Sequence, residues 1–180
     1  QNPVAGGPVA PTKGDIIEGG IKAALMNGRI QSSLSAYQIR RTNIRQSDPR
    51  GDEGNDGVDD LVPVGQITSK GIEFDLAADI TPDWVLTLAY GYNDTRITED
   101  NGGGGFPFNV GDRFPNAPEH QLGFWTRYQF PELGLAAALG GDYVSERVSM
   151  SGQTVKPYMV FDASLIYETG PLRALVRVDN

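Results

Sequence analysis

Apolar and polar residues alternate along several segments of this chain, with the period of two that a β-strand requires. One face of segment 84–98 has large apolar and aromatic residues: Trp84, Leu86, Leu88, Tyr90 and Tyr92. The other face has small or polar residues: Thr87, Ala89, Gly91 and Asn93. This pattern predicts a long strand with one apolar face and one hydrated face.

The alternation predicts eight strands in four hairpins. Their approximate ranges are 15–26 with 30–46, 66–80 with 84–98, 121–130 with 135–142, and 161–167 with 172–179. The second strand alternates poorly, because Leu34, Ala36, Tyr37 and Ile39 do not stay on one face.

Short and long connections follow one another along the chain. Short ones are expected at Asn27-Gly28, Thr81-Pro82-Asp83, Pro131–Gly134 and Thr169-Gly170-Pro171, and long polar ones at 47–65, 99–116 and 147–157. Asn-Gly favours positive φ at both central positions of a type I′ turn. An antiparallel sheet with tight turns at one end and long loops at the other is typical of an outer-membrane β-barrel.

Aromatic residues lie close to the short turns, at Trp84, Tyr128, Phe130 and Tyr167. Amphipathic rings at this level suit a membrane–water boundary. The same rings could instead close the bottom of a soluble β-sandwich core. Most of the predicted strands exceed the ~5–6 residues usual in globular proteins and reach the ~9–11 that a membrane span needs, which favours the barrel.

Composition narrows the choice only partly. The chain has 180 residues and a formal net charge of -8, with no basic stripe for nucleic acid and no cysteine for disulfides or thiolate metal sites. No segment approaches the ~20 apolar residues of a membrane helix. The mean hydropathy is negative, but a barrel that alternates lipid-facing and lumen-facing residues is also polar on average.

Several motifs occur in one order along the chain. Segment 67–84 combines a Ser-x-Gly-x-Glu strand, a Pro-containing turn and a Trp, at Ser69, Gly71, Glu73, Pro82 and Trp84. Around it lie a Glu-x-Gly-x-Lys strand (Glu18, Gly20, Lys22), a Pro-x-His strand start (Pro118, His120), a Tyr…Asp…Tyr strand within 156–167 and the closing Val178-Asp179-Asn180. In this order they resemble the C-terminal barrel region of TonB-dependent outer-membrane receptors, the siderophore-receptor branch in particular.

The resemblance implies an all-β fold, in which residues 1–180 form about eight strands of a 22-stranded barrel that encloses a plug. The plug, the early strands and the last strand are then expected outside this chain. It also implies TonB-dependent uptake of a ferric siderophore or similar metal chelate across a Gram-negative outer membrane, without enzymatic chemistry or a cofactor. The implied partners are the chelate, outer-membrane lipid and lipopolysaccharide, and the TonB complex through the plug.

Two other functions stay open at this point. One is a stand-alone eight-stranded outer-membrane barrel with a structural or adhesive role. The other is a soluble β-sandwich binding module, in which the face with Leu86, Leu88 and Tyr90 would pack against a second sheet. The sequence does not indicate which chelate would be carried, or whether iron is the cargo.

Candidate sites for bond chemistry are few, and we predict no catalytic, cofactor-binding or metal-binding residue. Gly102–Gly105 lacks the Gly-Lys-Ser/Thr of a phosphate-binding loop. Asp48–Asp60 is rich in acidic residues, but Gly54 and Pro63 occupy positions where an EF-hand needs ligands, so a solvated loop near lipopolysaccharide is favoured. His120 is the single histidine and is expected to anchor the start of a strand.

Charged residues on the hydrated faces are expected to contact the plug rather than to form a substrate path; they are Glu73, Asp75, Arg127, Arg173 and Arg177. Substrate recognition is expected in the long loops, where binding residues usually lie. In loop 99–116, Phe106, Phe108, Arg113 and Phe114 offer aromatic and cationic groups that suit an anionic ferric chelate.

Overall fold

The computed structural model describes residues 11–47, 61–63, 65–100 and 109–180. Its long strands are β1 (Lys13–Leu25), β2 (Ile30–Thr42), β5 (Gln66–Thr81), β6 (Trp84–Glu99), β7 (His120–Phe130), β8 (Leu135–Val144), β11 (Tyr158–Thr169) and β12 (Leu172–Val178). Short strands occupy the connections: β3 (Arg45–Ser47), β4 (Leu61–Pro63), β9 (Arg147–Val148) and β10 (Thr154–Val155). No helix in the described ranges is long and apolar enough to span a membrane.

The eight long strands form one antiparallel sheet in the order β1-β2-β5-β6-β7-β8-β11-β12. Each strand therefore pairs with its neighbour among the long strands, as the alternating short and long connections predict. The sheet does not close, and β1 and β12 lie at its two edges. The ribbons β3–β4 and β9–β10, which the sequence did not indicate, extend from the end of the sheet that has the long connections. We call this end the loop end and the opposite end the turn end.

The short connections lie where the sequence predicts them, with one shift. Between β1 and β2, Gly28 N donates to Leu25 O at 3.1 Å and Arg29 N donates to Met26 O at 3.3 Å, so two turns overlap. The predicted Asn27-Gly28 turn is confirmed, with φ of 56° and 86° at its central residues, and the loop begins one residue earlier than predicted, at Met26. Because Gly28 and Arg29 complete the loop, Leu25 pairs with Ile30.

Strand register separates the residues into two faces, since directly paired residues of an antiparallel sheet share a face. The apolar face contains Leu76, Leu88, Phe124 and Phe161. Leu88 pairs with both Leu76 and Phe124, and Gly141 pairs with both Phe124 and Phe161. The polar face contains the intervening residues, such as Asp75, Ala89, Gly123 and Asp142. The alternation predicted for β5 to β12 is confirmed.

The poor alternation of β2 also has a structural cause. Tyr37 lies on the polar face directly opposite Gly71. A Cβ added at Gly71 would lie 2.4 Å from the Tyr37 ring and from Tyr92 O. Glycine thus leaves room for an aromatic ring that crosses to the next strand, and this explains the glycine of the Ser-x-Gly-x-Glu motif.

Two adjacent glycines of β8 make room for rings on opposite faces. On the apolar face, a Cβ at Gly141 would lie 2.8 Å from Phe124 Cε1 and 3.1 Å from Phe161 Cδ1. On the polar face, a Cβ at Gly140 would lie 3.3 Å from Trp125 Cδ1. The pair therefore lets large rings lie flat over β8 on both sides.

Little of the described chain is buried. The buried apolar residues are Ile67, Ala78, Ile97 and Ala136, and β1 and β12 are exposed along their whole length. A soluble sandwich would bury one face of this sheet against another sheet. Among the described residues no second sheet covers either face, so the sandwich alternative does not match the structure.

At the turn end, Arg29 joins two neighbouring hairpins. Its Nη2 donates to the carbonyl oxygens of Asp79 and Ile80, both at 2.8 Å, and its Nε donates to Asp79 O at 3.2 Å. Asp79 N in turn donates to Arg29 O at 2.8 Å. The loop between β1 and β2 is thereby attached to the turn between β5 and β6.

Candidate functional site

The loop before β7 continues the sheet beyond the point where β7 begins. Ile97 N donates to Asp112 O at 3.1 Å, and Phe114 N donates to Thr95 O at 2.8 Å. These bonds place residues 111–114 beside the loop-end part of β6, and Arg113 pairs with Arg96 in an isolated antiparallel bridge. Backbone pairing therefore holds the loop beside β6, together with Arg96 Nη1, which donates to Gly111 O at 3.0 Å.

The predicted substrate-contact residues divide between the two sides of this segment. Arg113 lies opposite Arg96 and so shares the apolar face, while Phe114 lies beside Thr95, a polar-face residue, and is half-buried. Arg113 Nε is 3.3 Å from Glu119 Oε1, and its Nη2 donates to Glu146 O at 3.5 Å. Phe106 and Phe108 lie outside the described residues, as do Asp48–Asp60 and Gly102–Gly105.

The sequence did not indicate a role for Arg147, which lies in the same region. Its guanidinium carbon is 5.9 Å from the centre of the Tyr158 ring, within cation–π range. Its Nη1 is buried without a hydrogen-bond partner in the described part of the chain. Since Tyr158 is on the polar face, a cation and an aromatic ring meet there at the loop end. No local sequence pattern predicts this contact, because Arg147 and Tyr158 come together only when loop 145–157 folds back.

His120 begins β7 and anchors it, as predicted. Its backbone N donates to Ser145 Oγ at 3.0 Å, and Ser145 N donates to His120 O at 2.9 Å. The hydroxyl of Tyr90 is 2.9 Å from Nδ1, and the ring centroid of Tyr92 is 5.2 Å from that of the imidazole. These three rings, together with Tyr143 on the row of Tyr90, form a loop-end aromatic band on the apolar face.

The turn-end aromatic band consists of Trp84, Tyr128, Phe130 and Tyr167, all on the apolar face and exposed. Trp84 Nε1 donates to Thr126 Oγ1 at 2.8 Å, and the rings of Tyr128 and Phe130 are 4.6 Å apart in an edge-on arrangement. The sequence predicted this band and missed the loop-end one, because Tyr90 and Tyr92 read as ordinary apolar positions of β6.

A concave trough of about 810 Å³ crosses the polar face from β1 to β11. Its lining includes the charged residues Lys22, Asp75, Asp142 and Asp162, together with alanine, glycine and larger apolar residues of β6 to β8. The Trp125 ring lies in it against Gly140. The trough is therefore open, with acidic side chains among its walls.

The predicted inward-facing charges all lie on the polar face, as register requires. Several have partners within their own sheet. Ser33 Oγ donates to Asp75 Oδ2 at 3.0 Å, and Arg127 Nη2 donates to Gln129 Oε1 at 2.5 Å. Arg173 is 3.1 Å from Glu168, and Arg177 is 2.6 Å from Asp179. Contact of these charges with a plug stays a prediction.

No group of three or more His, Cys, Asp or Glu side chains within the described ranges has the geometry to hold a metal ion. Around Ser69, short hydrogen bonds connect its Oγ with Asn93 Oδ1 at 2.5 Å and with Thr95 Oγ1 at 3.0 Å. This network stiffens the loop end of the polar face.

Comparison with known proteins gives one family and one fold. The model of the family described as TonB dependent receptor-like, beta-barrel matches residues 1–180. The metal-pseudopaline receptor CntO of Pseudomonas aeruginosa is 29% identical over 98% of this chain and 24% of that receptor. The ferrioxamine B receptor of Salmonella typhimurium is 27% identical over 91% of this chain and 22% of that receptor.

Solved structures agree with this on the fold. The ferripyoverdine receptor of the outer membrane of Pseudomonas aeruginosa, bound to ferripyoverdine, superposes with a TM-score of 0.73 at 21% identity. The match covers 96% of this chain and 23% of that one. The chain therefore spans about a quarter of the length of each of these three proteins.

Proposed function

Since this chain belongs to the TonB-dependent receptor-like β-barrel family, we propose that it forms part of an outer-membrane receptor that imports a ferric siderophore or similar metal chelate. The proposed reaction is transport, driven through TonB, and no residue of the chain breaks a covalent bond. The proteins it matches are named as receptors for metal-pseudopaline and ferrioxamine B, which supports a metal chelate as the cargo.

The observation that supports this most is the apolar face with its two aromatic bands. From His120 to Phe130, β7 rises about 33 Å at about 3.3 Å per residue. A strand tilt of about 40° reduces this to about 25 Å, the height of the apolar belt of an outer-membrane barrel. An exposed apolar face of that height, bounded by aromatic rings on both sides, suits a lipid bilayer.

The open edges of the sheet support a larger barrel over a stand-alone one. Strands β1 and β12 do not pair with each other, and each leaves a row of unpaired backbone groups. In hydrocarbon such groups need partners. We propose that residues 1–180 contribute neighbouring strands to a barrel of about 22 strands. Its interior would hold a plug against the trough on the polar face.

We also propose that substrate contacts come from the loop end. The position of Phe114 on the polar side of its segment supports this, and Phe106 and Phe108 belong to the same loop. Arg113 would act from the outer side, where Glu119 already neutralises its charge. A contribution from Arg113 should accordingly be smaller than that from the aromatic residues.

Uptake of radioactive iron by cells that produce the complete receptor tests the proposal. The panel would include ferrioxamine B, ferrichrome, ferric pyoverdine and a metal-pseudopaline complex. We expect uptake of at least one chelate that depends on both the receptor and TonB. Uptake of none of these, with the receptor correctly inserted in the outer membrane, would contradict a chelate cargo.

A further inference from the structure

We propose that Arg113 is a positioning residue for chelate binding, which joins loop 99–116 to loop 145–157 so that the two loops act as one unit. The inference rests on the proposed function and deepens it, because it concerns how the loop end receives a chelate. Arg113 would act through the second loop rather than by touching the chelate.

Arg113 connects the loop ends of three long strands. It lies beside β6, in the bridge with Arg96. Its Nε is 3.3 Å from Oε1 of Glu119, the residue before β7. Its Nη2 donates at 3.5 Å to the backbone oxygen of Glu146, two residues after β8 ends. The side chain of Arg113 is 22% exposed, against 65% for Arg173 in its ion pair at the turn end, so Arg113 is enclosed between the segments it joins.

Two backbone hydrogen bonds join the same part of the loop end. Asn116 N donates to Val148 O at 2.8 Å, and Ser145 N donates to His120 O at 2.9 Å. Together with the contact of Arg113, they hold segment 145–148 against segment 113–120. Since these two bonds do not involve the side chain of Arg113, its substitution should loosen the link between the loops without unfolding them.

Loop 145–157 can transmit this contact because it forms a hydrogen-bonded ribbon. Its strands β9 and β10 pair along both of their residues. At the tip, Ser149 N donates to Gln153 O at 2.8 Å. Glu146 is the residue before β9, so a displacement of Glu146 should move the whole ribbon rather than one end of it.

Loop 99–116 is attached to β6 on both sides of Arg113. Arg96 Nη1 donates to Gly111 O at 3.0 Å, and Phe114 N donates to Thr95 O at 2.8 Å. The link through Arg113 therefore fixes the ribbon relative to β6 and to Phe114, a proposed substrate contact. Loops that are already held in their binding arrangement lose less conformational freedom when a ligand binds, which favours a higher affinity.

Hydrogen exchange of backbone amides, measured by mass spectrometry on the complete receptor in detergent, tests the link without a chelate. Arg113→Gln changes one loop and should make residues 145–155 of the other exchange about fivefold faster, since a lost hydrogen bond favours local opening. Arg41→Gln is the matched control, because it also removes a guanidinium but lies on β2, which β5 separates from β6. It should leave this exchange unchanged. Unchanged exchange after Arg113→Gln, or equal acceleration by Arg41→Gln, would overturn the proposal.

Chelate affinity tests the consequence for binding. The probes are the four chelates of the uptake panel, and Arg113→Gln should weaken about fivefold the binding of each one that the unmodified receptor binds. Arg41→Gln should not weaken it. Full affinity of Arg113→Gln for these chelates would overturn a role in binding.

A cross-link distinguishes positioning from direct contact. The chain has no cysteine, so Asn116→Cys and Val148→Cys introduce a single pair. With standard bond lengths, the hydrogen bond between these residues places their Cα atoms at most about 6.7 Å apart, within the range of a disulfide. In the Arg113→Gln receptor this disulfide should restore chelate binding without restoring the charge, and its reduction should weaken binding again. Weak binding by the cross-linked protein would overturn the proposal in favour of direct contact.

The two measurements separate this inference from the proposed function. If the unmodified receptor binds no chelate while hydrogen exchange follows the expected pattern, the chelate cargo fails and the link between the loops stands. If the receptor binds a chelate but Arg113→Gln does not change exchange in residues 145–155, the cargo stands and the inference is rejected.

Discussion

The two faces of this sheet share one backbone and differ in almost everything else. Across the middle of β5 to β11, the apolar face presents Leu76, Leu88, Phe124 and Phe161. The polar face presents Asp75, Ala89 and Gly123, each next to one of these residues in its strand, and Asp142, which follows Gly141. Neither face is covered by another layer of the described chain. The contrast shows that the two faces differ because alternate residues of each strand differ in polarity. Burial within the chain does not distinguish them.

The contrast predicts that one added charge has opposite outcomes on adjacent residues. Leu88→Arg places a cation in the middle of the apolar band and should destabilise the receptor in a bilayer by about 2–4 kcal/mol. Ala89→Arg places the same side chain between Asp75 and Gly123 on the polar face, and we expect a change below about 1 kcal/mol. Urea unfolding of the receptor in lipid vesicles measures both, and similar losses would contradict the assignment of the faces.

Glycine substitutions sharpen the comparison at the level of packing. Gly141→Ala would press a methyl group against Phe124 and Phe161 and should destabilise the protein by about 1–3 kcal/mol. Gly91→Ala is the control on the polar face, where an added Cβ meets nothing within 4 Å. It should be neutral or stabilise by a few tenths of a kcal/mol, roughly the backbone entropy that alanine saves. A larger loss at Gly91 would mean that the polar face is tightly filled at that point.

The separation of the faces depends on register, and Arg29 tests how register is held. Arg29→Lys removes the planar group that reaches both Asp79 O and Ile80 O, so we expect a loss of about 1 kcal/mol. Arg41→Lys, at an exposed position on β2, should change stability little. Chemical unfolding compares the two variants. Equal stability of both would show that strand pairing alone sets the register.

The smallest effect on stability, and the most direct view of the faces, comes from the two tryptophans. Trp84 lies on the apolar face, and Trp125 lies in the trough on the polar face. Replacement of Trp84 by Phe should remove fluorescence that brominated lipids quench, whereas Trp125→Phe should leave lipid quenching as it was. Neither variant should unfold. Equal loss of quenching in both would place the two rings in the same medium.

Much of this fold can be predicted from local sequence, because the alternation of apolar and polar residues and the choice of turn residues both depend on a few neighbouring positions. The bounds of β5 and β6 are predicted within one residue at each end, since Pro82-Asp83 and the alternation around Leu88 agree. The Asn27-Gly28 turn is also predicted correctly, but β1 ends one residue early because Met26 adopts positive φ, which its side chain does not suggest. The ribbons β3–β4 and β9–β10 were missed because two or three residues leave no periodic pattern.

The candidate site is less predictable, because its parts come from distant segments. Arg96 and Arg113 become neighbours only when the loop before β7 pairs with β6, and that same pairing places Arg113 and Phe114 on opposite sides. Nothing within residues 99–116 distinguishes these two positions in the sequence. The Arg147–Tyr158 contact depends in the same way on how loop 145–157 folds back.

The contact of Arg29 with Asp79 and Ile80 has a consequence for how errors of assembly are rejected. A slip of β2 against β5 by one residue would exchange the two faces, and the membrane itself would oppose it. A slip by two residues would keep every side chain on its own face, so the alternation of apolar and polar residues would not oppose it. Such a slip would move the guanidinium about 7 Å from the carbonyl oxygens it binds. In the proposed membrane, lipid would thus oppose shifts by one residue, and the contacts of Arg29 would oppose shifts by two.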